Sequence, residues 1–131
     1  PILYTQRLIK SETEIALLKE ACEITNKAFR RTLQFVKPNV MEFEVQAEIE
    51  HEFTMNRANG HGYYPIIASG KSACVLHYIE NDKVCQDGDV LLFDFGAEYA
   101  LYSTISGLLH IKSIVRCVIF SQSSIGIIFS K

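Results

Sequence analysis

The spacing of the apolar residues changes at Gly60, and this change limits what the chain can fold into. Before Gly60, apolar residues recur every three or four positions, which is the period of an amphipathic helix. Ser11 and Glu14 form a capping box that predicts the start of a helix, and Pro38 ends it because proline disfavours helical geometry in the preceding residue. The apolar stripe of this helix comprises Ile15, Leu18, Cys22, Thr25, Phe29, Thr32 and Val36.

A second helix is predicted from about Glu42 to Arg57. It places Val45, Ile49 and Phe53 on one face. Asn59 and Gly60 supply its stop signal.

Beyond Gly60 the apolar residues come in short runs separated by turn residues, a pattern typical of strands. Strands are predicted at 63–68 and 74–79, with a turn at 69–71 between them. Residues 90–93, Val-Leu-Leu-Phe, form a continuous apolar run of the kind buried on both faces of a sheet. We therefore expect an α+β fold, with two N-terminal helices packed on a sheet.

Composition excludes several classes of function. The chain has 131 residues and a formal net charge of -2, so no broad positive surface attracts nucleic acid or anionic lipid. No apolar stretch reaches the ~18 residues needed to cross a bilayer. The four cysteines contain no CxxC pair, and the chain opens without signal-peptide features, which favours a cytoplasmic protein with reduced thiols. The absence of an initiator Met suggests a segment cut from something longer.

Asp94 and His77 are the candidate site residues. A carboxylate at the end of a buried strand is costly unless a cation or several donors meet it, although an Asp that caps the following turn is the more common case. His77 lies in a strand-like run, where an imidazole could donate a hydrogen bond or move a proton; a histidine with a backbone partner is the plainer interpretation. Asp94-Phe95-Gly96 matches a kinase triplet, but no glycine-rich loop or HRD sequence accompanies it.

Longer motifs carry a resemblance to a known family. The segments SGKSACVLHY and GDVLLFDFGAEY, with RLIKSETEIALLKEACEITNKAF before them, resemble the N-terminal half of the catalytic domain of Xaa-Pro aminopeptidase, of the creatinase and methionine aminopeptidase superfamily. The resemblance covers about residues 6 to 103. It implies a partial pita-bread fold, with helices packed on a curved antiparallel sheet.

The resemblance also implies a reaction and roles for three residues. The family hydrolyses the N-terminal residue from peptides with proline second, using two divalent metals, commonly manganese. Asp94 matches its first metal-ligand aspartate. His77 matches the catalytic histidine that contacts the substrate near the scissile bond, and Tyr63 matches a substrate-pocket tyrosine.

The chain departs from the family after Ser103. Ile105 occupies the slot of a second ligand aspartate, and no Asp or Glu follows Glu98. We hypothesise that residues 1–103 are the family's N-terminal half and that 104–131 form a divergent apolar tail, after a frame change or truncation.

One carboxylate cannot hold two metals, so we expect an incomplete metal site and an enzyme fragment that is inactive as this chain. The alternative is a metal-free peptide-binding or protein-binding module. Exposed strand edges predict aggregation or a homo-oligomer.

Overall fold

The computed structural model describes residues 7–104, 106–111 and 117–118. Helix α1 spans Glu12–Phe35 and begins at the predicted capping box. The Ser11 N–H donates to Glu14 Oε2 at 2.7 Å, and the Glu14 N–H donates to Ser11 Oγ at 3.3 Å. These two bonds satisfy donors that the first helical turn leaves unpaired.

The buried face of α1 is offset from the predicted stripe. Thr25 and Thr32 are buried as expected, but Ile15 is 42% exposed because the first turns of α1 extend past the core. Thr32 donates its hydroxyl to Ala28 O at 2.9 Å, so this buried polar group is satisfied within the helix. The fully buried positions of α1 are Ala21, Ile24, Ala28 and Thr32.

Helix α2 spans Glu42–Met55, and its predicted apolar face is confirmed because Val45, Ile49 and Phe53 are all buried. An ion pair of 2.6 Å between Arg31 Nε and Glu48 Oε2 joins α1 to α2.

Seven strands form two antiparallel sheets in the described part of the chain. One sheet has the order β1-β4-β5 and the other β2-β3-β6-β7. The strands are β1 Gly60–His61, β2 Ile66–Ser69, β3 Val90–Phe95, β4 Ala97–Tyr99, β5 Tyr102–Ser103, β6 Ser106–Ile111 and β7 Cys117–Val118.

Strand β3 has one fully buried face rather than the two that its sequence predicts. Leu91, Phe93 and Phe95 belong to the hydrophobic core, which also contains buried apolar residues of both helices. Since side chains alternate along a strand, Asp94 lies on the opposite face with Val90 and Leu92, where burial is only partial.

The strand predicted at 74–79 is wrong. A 3₁₀ helix, Gly70–Cys74, and a turn stand in its place. His77, inside the predicted strand, has φ 53°, and this left-handed geometry is incompatible with an extended run.

The predicted tail at 104–131 lies mostly outside the described residues. Within it, β6 pairs with β3 along the whole length of both strands, from Val90 opposite Ile111 to Phe95 opposite Ser106. No helix in the described ranges is long and apolar enough to span a membrane.

Candidate functional site

The face of the four-stranded sheet that points away from the helices carries the candidate site. Asp94 lies near the end of β3, opposite Ile66 of β2 on one side and Gly107 of β6 on the other. Its side chain is therefore fixed in the middle of three strands and remains partly accessible.

Tyr63 meets Asp94 on this face, because its hydroxyl donates to Asp94 Oδ1 at 2.6 Å. A bond this short to a carboxylate is typical of charge-assisted hydrogen bonds. Among the described residues, no side-chain donor is recorded for Oδ2 of Asp94. An ionised carboxylate has about four lone-pair positions, so Asp94 retains the capacity to accept further donors or a cation.

The chain directly after Asp94 is held by a buried threonine of α1. Thr25 Oγ1 accepts the Ala97 N–H at 3.0 Å and lies 2.8 Å from Thr104 Oγ1. Its own proton goes to Ala21 O at 2.9 Å. Helix α1 thereby fixes the strand end that carries Asp94.

Gly96 is required by close packing at this strand end. A Cβ atom at position 96 would lie 1.8 Å from Thr104 O, which is far inside van der Waals contact. Packing thus explains why a glycine follows Asp94-Phe95. Any side chain at position 96 would displace the backbone at Thr104.

His77 lies on an exposed turn, and the structure does not join it to the Tyr63–Asp94 pair. Its side chain is exposed and makes no recorded hydrogen bond or ion pair with any described residue. The sequence therefore identified three candidate residues, of which the fold brings two into contact.

A buried carboxylate, Glu42, was not identified from the sequence. It is 0% exposed at the start of α2 and accepts four hydrogen bonds. Ser69 donates its N–H and Oγ to Oε1 at 2.7 and 2.8 Å. The Tyr78 hydroxyl and the Lys83 N–H donate to Oε2 at 2.7 and 3.1 Å.

Burial raises the pKa of the Tyr78 hydroxyl, and the bond to Glu42 raises it further. The phenol therefore stays protonated as the donor. The helical spacing contained a signal for Glu42, since positions 42, 45, 49 and 53 follow one stripe and place this glutamate on the apolar face of α2.

The potential metal ligands among the described residues do not fit a two-metal centre on their own. Within residues 7–104 and 106–111, no three His, Cys, Asp or Glu side chains gather as a metal-binding group. Asp94 offers one carboxylate and Glu42 is already occupied by four donors. Two hard divalent ions need several oxygen ligands, so these residues alone do not hold such a pair.

Helices packed on one face of antiparallel strands, with one carboxylate on the other face, agree with the N-terminal portion of the pita-bread fold. The sequence agrees, because residues 16–112 match the model of metallopeptidase family M24. The chain belongs to that family, and the resemblance and fold expected from the sequence are confirmed.

Individual relatives support the same assignment. The chain is 43% identical over 103 residues to Xaa-Pro aminopeptidase of Haemophilus influenzae, covering 79% of this chain and 24% of that protein. The Escherichia coli Xaa-Pro aminopeptidase is 41% identical over 103 residues, covering 79% and 23%. This chain thus spans about a quarter of the length of these relatives.

Solved structures give a matching result. A variant of Escherichia coli aminopeptidase P in complex with substrate has a TM-score of 0.82 and 38% identity, covering 85% of this chain and 25% of that chain. Proline aminopeptidase P II from Yersinia pestis has a TM-score of 0.73 and 39% identity, covering 79% and 23%.

Proposed function

We propose that this chain carries part of the site of a cytoplasmic Xaa-Pro aminopeptidase, which removes the N-terminal residue from peptides with proline second. The observation that carries the proposal is the position of Asp94. It is a partly accessible carboxylate at the centre of a three-strand register, and within the part of the chain that the structure describes its side-chain hydrogen-bond partner is Tyr63. A carboxylate so fixed and so incompletely paired suits a cation ligand.

Each proposed role follows from the chemistry of the side chain. Asp94 is a hard oxygen donor and would hold one of two divalent ions, with manganese as the proposed metal. In a site completed by further ligands, such ions would supply an activated hydroxide and stabilise developing charge on the scissile carbonyl.

The other two roles concern the substrate. His77 is the proposed catalytic and substrate-contacting imidazole, and its exposed turn leaves the ring accessible to a peptide. Tyr63 would orient Asp94 through its hydroxyl and line the substrate pocket.

We further propose that the 131-residue chain does not catalyse this reaction alone. Its candidate site provides one metal carboxylate, and Ile105 stands in the sequence slot of the second. A single carboxylate, whether monodentate or bidentate, binds even one divalent ion weakly. It therefore cannot hold two such ions in place.

The test combines turnover with metal affinity. We expect no hydrolysis of an Xaa-Pro dipeptide in excess Mn²⁺, and weak Mn²⁺ binding that Asp94→Asn abolishes, measured by electron paramagnetic resonance of free Mn²⁺. Ile105→Asp should tighten binding at least about tenfold, because affinity rises with the number of charged ligands. Turnover by the unmodified chain would contradict its inactivity, and unchanged binding in Asp94→Asn would remove Asp94 from the metal site.

A metal-free binding module is the second candidate function. The observation that favours it is an exposed apolar surface beside His77, where Val75 is 51%, Leu76 85% and Ile79 62% exposed. Such side chains are suited to peptide contact. Specific binding of an Xaa-Pro peptide in the presence of a chelator, unaffected by Asp94→Asn, would favour this function over the metal site.

A further inference from the structure

The turn that carries His77 is mostly exposed to solvent. We define the His77 turn as residues 75–79. From Gly70 to Glu80, a range that the structure describes completely, Tyr78 is the one buried residue. His77 directly precedes it and is exposed, with a left-handed backbone at φ 53°. Contacts to Tyr78 are therefore the main way in which the rest of the molecule can hold this turn.

Glu42 provides that support from the first turn of α2. Its Oε2 accepts the Tyr78 hydroxyl at 2.7 Å, so the buried carboxylate is bound to the residue next to His77. The same carboxylate binds both limits of the surrounding segment, Ser69 before it and Lys83 after it. The Glu42 N–H also donates to Lys83 O at 3.0 Å.

We propose that Glu42 is the positioning residue for the His77 turn, acting through the Tyr78 hydroxyl. A buried carboxylate with all its donors in place is rigid, because displacing any one donor leaves a polar group unpaired in the interior. Because the Tyr78 hydroxyl is bound to this carboxylate, the Tyr78 ring restrains the backbone of the preceding residue, His77. The functional meaning of the inference rests on the proposed role of His77, whereas the physical claim concerns the turn alone.

Tyr78→Phe tests the physical claim, since it removes the hydroxyl and leaves the ring and Glu42 in place. Glu42→Ala is a poorer test because it strands several buried donors and threatens the whole fold. The readout is the ¹⁵N order parameter of the His77 amide. We expect a fall from about 0.85, the value of a rigid backbone, to below about 0.6.

Tyr102→Phe is the matched control. The Tyr102 hydroxyl donates to Glu14 Oε1 at 3.0 Å, so it forms another Tyr–Glu pair that includes no residue of the segment 69–83. This control should leave the His77 order parameter unchanged. An unchanged value in Tyr78→Phe overturns the inference, and an equal fall in Tyr102→Phe does so too.

A peptide titration separates this inference from the proposed function. Ala-Pro added to the unmodified chain should shift the ring signals of His77, and the shift should be lost in Tyr78→Phe. If the unmodified chain shows no shift while Tyr78→Phe still loosens the turn, the substrate role of His77 fails and the positioning by Glu42 stands.

Discussion

Two carboxylates lie beside strand β2, one at each end, and they differ in how many hydrogen bonds they accept. Glu42 binds Ser69 at the last residue of the strand and accepts four hydrogen bonds with no exposure to solvent. Asp94 lies opposite Ile66 at the first residue, is partly accessible and, counting described residues alone, accepts one side-chain hydrogen bond, from Tyr63. The same functional group thus occurs once in a saturated and once in an unsaturated environment.

The difference separates a structural carboxylate from a candidate ligand. A buried charge with every lone pair directed at a donor is stabilised where it is and has little capacity to bind anything else. A half-buried carboxylate with one donor is held in direction yet retains that capacity. Judged only by residue type and burial, Glu42 would be a stronger candidate for a functional residue than Asp94. The number of hydrogen-bond donors around each carboxylate makes Asp94 the stronger candidate.

Glu42→Ala should have the largest effect on stability. The substitution leaves the Ser69 and Lys83 N–H groups and two hydroxyls without their acceptor, and each unsatisfied buried group costs about 1–3 kcal/mol. Water entering the vacated space offsets part of this. We expect the free energy of unfolding to fall by about 3 kcal/mol, measured by urea denaturation.

Asp94→Ala is the matched control for that comparison. It removes a carboxylate of similar size whose lost partner, the Tyr63 hydroxyl, is less deeply placed, so the expected loss is about 1 kcal/mol or less. Equal losses for the two variants would contradict the distinction between a saturated and an unsaturated carboxylate.

Gly96→Ala should have the next largest effect and sharpens the description of the Asp94 side. The added Cβ would lie 1.8 Å from Thr104 O, so the backbone must move. Overpacking of this kind costs about 1–3 kcal/mol, and urea denaturation should show a loss of about 2 kcal/mol. Gly88→Ala is the control for a glycine with open space around its missing Cβ, although its φ of +85° carries a backbone cost of its own. A Gly96 variant as stable as the parent would show that the strand end is not tightly fixed.

The helices were more predictable from sequence than the segment between β2 and β3. The capping box at Ser11 and the stripe on α2 follow from local rules, because each depends on residues three or four apart. The strand predicted at 74–79 failed because its apolar residues suggested a buried run. Tyr78 in this segment instead bonds to Glu42, 36 positions earlier, and no local pattern specifies such a contact.

The candidate site was predicted in part for the same reason. Asp94 at the end of an apolar run is a local signal, and its position on β3 follows from alternation along the strand. Its contact with Tyr63 joins residues 31 positions apart and depends on the pairing of β2 with β3, which no local pattern specifies. The roles of Asp94, His77 and Tyr63 stay predictions of the family resemblance.

Tyr63→Phe should have a smaller effect than Glu42→Ala and Gly96→Ala. It removes the 2.6 Å bond to Asp94 and keeps the ring. Because the pair is only partly buried, we expect a loss of about 1 kcal/mol in the free energy of unfolding by urea denaturation. Tyr64→Phe is the control, since Tyr64 is exposed and next in the chain. A loss as large as that of Glu42→Ala would show that Asp94 is a structural carboxylate after all.

The smallest effect is expected at a third carboxylate, Glu14, whose oxygens also meet several donors but at the surface. The Ser11 N–H, the Ser11 hydroxyl and then the Tyr102 hydroxyl lower the pKa of Glu14 below its usual value of 4.5. The folded state therefore binds this proton less readily than the unfolded state. The stabilisation is fully present above pH 4.5 and is lost as the pH falls through the lowered pKa of the folded state.

Comparison of the unmodified chain with Glu14→Gln isolates this contribution. The difference between their free energies of unfolding should be constant at neutral pH and should shrink steadily below pH 4.5, in a series of urea denaturations from about pH 7 to about pH 3. Solvent screening keeps the effect small even though the donors are as numerous as at many buried sites. If the difference in free energy of unfolding grew as the pH fell, the hydrogen-bond donors would favour the protonated form of Glu14. The contrast between the exposed Glu14 and the buried Glu42 would then not be explained by burial alone.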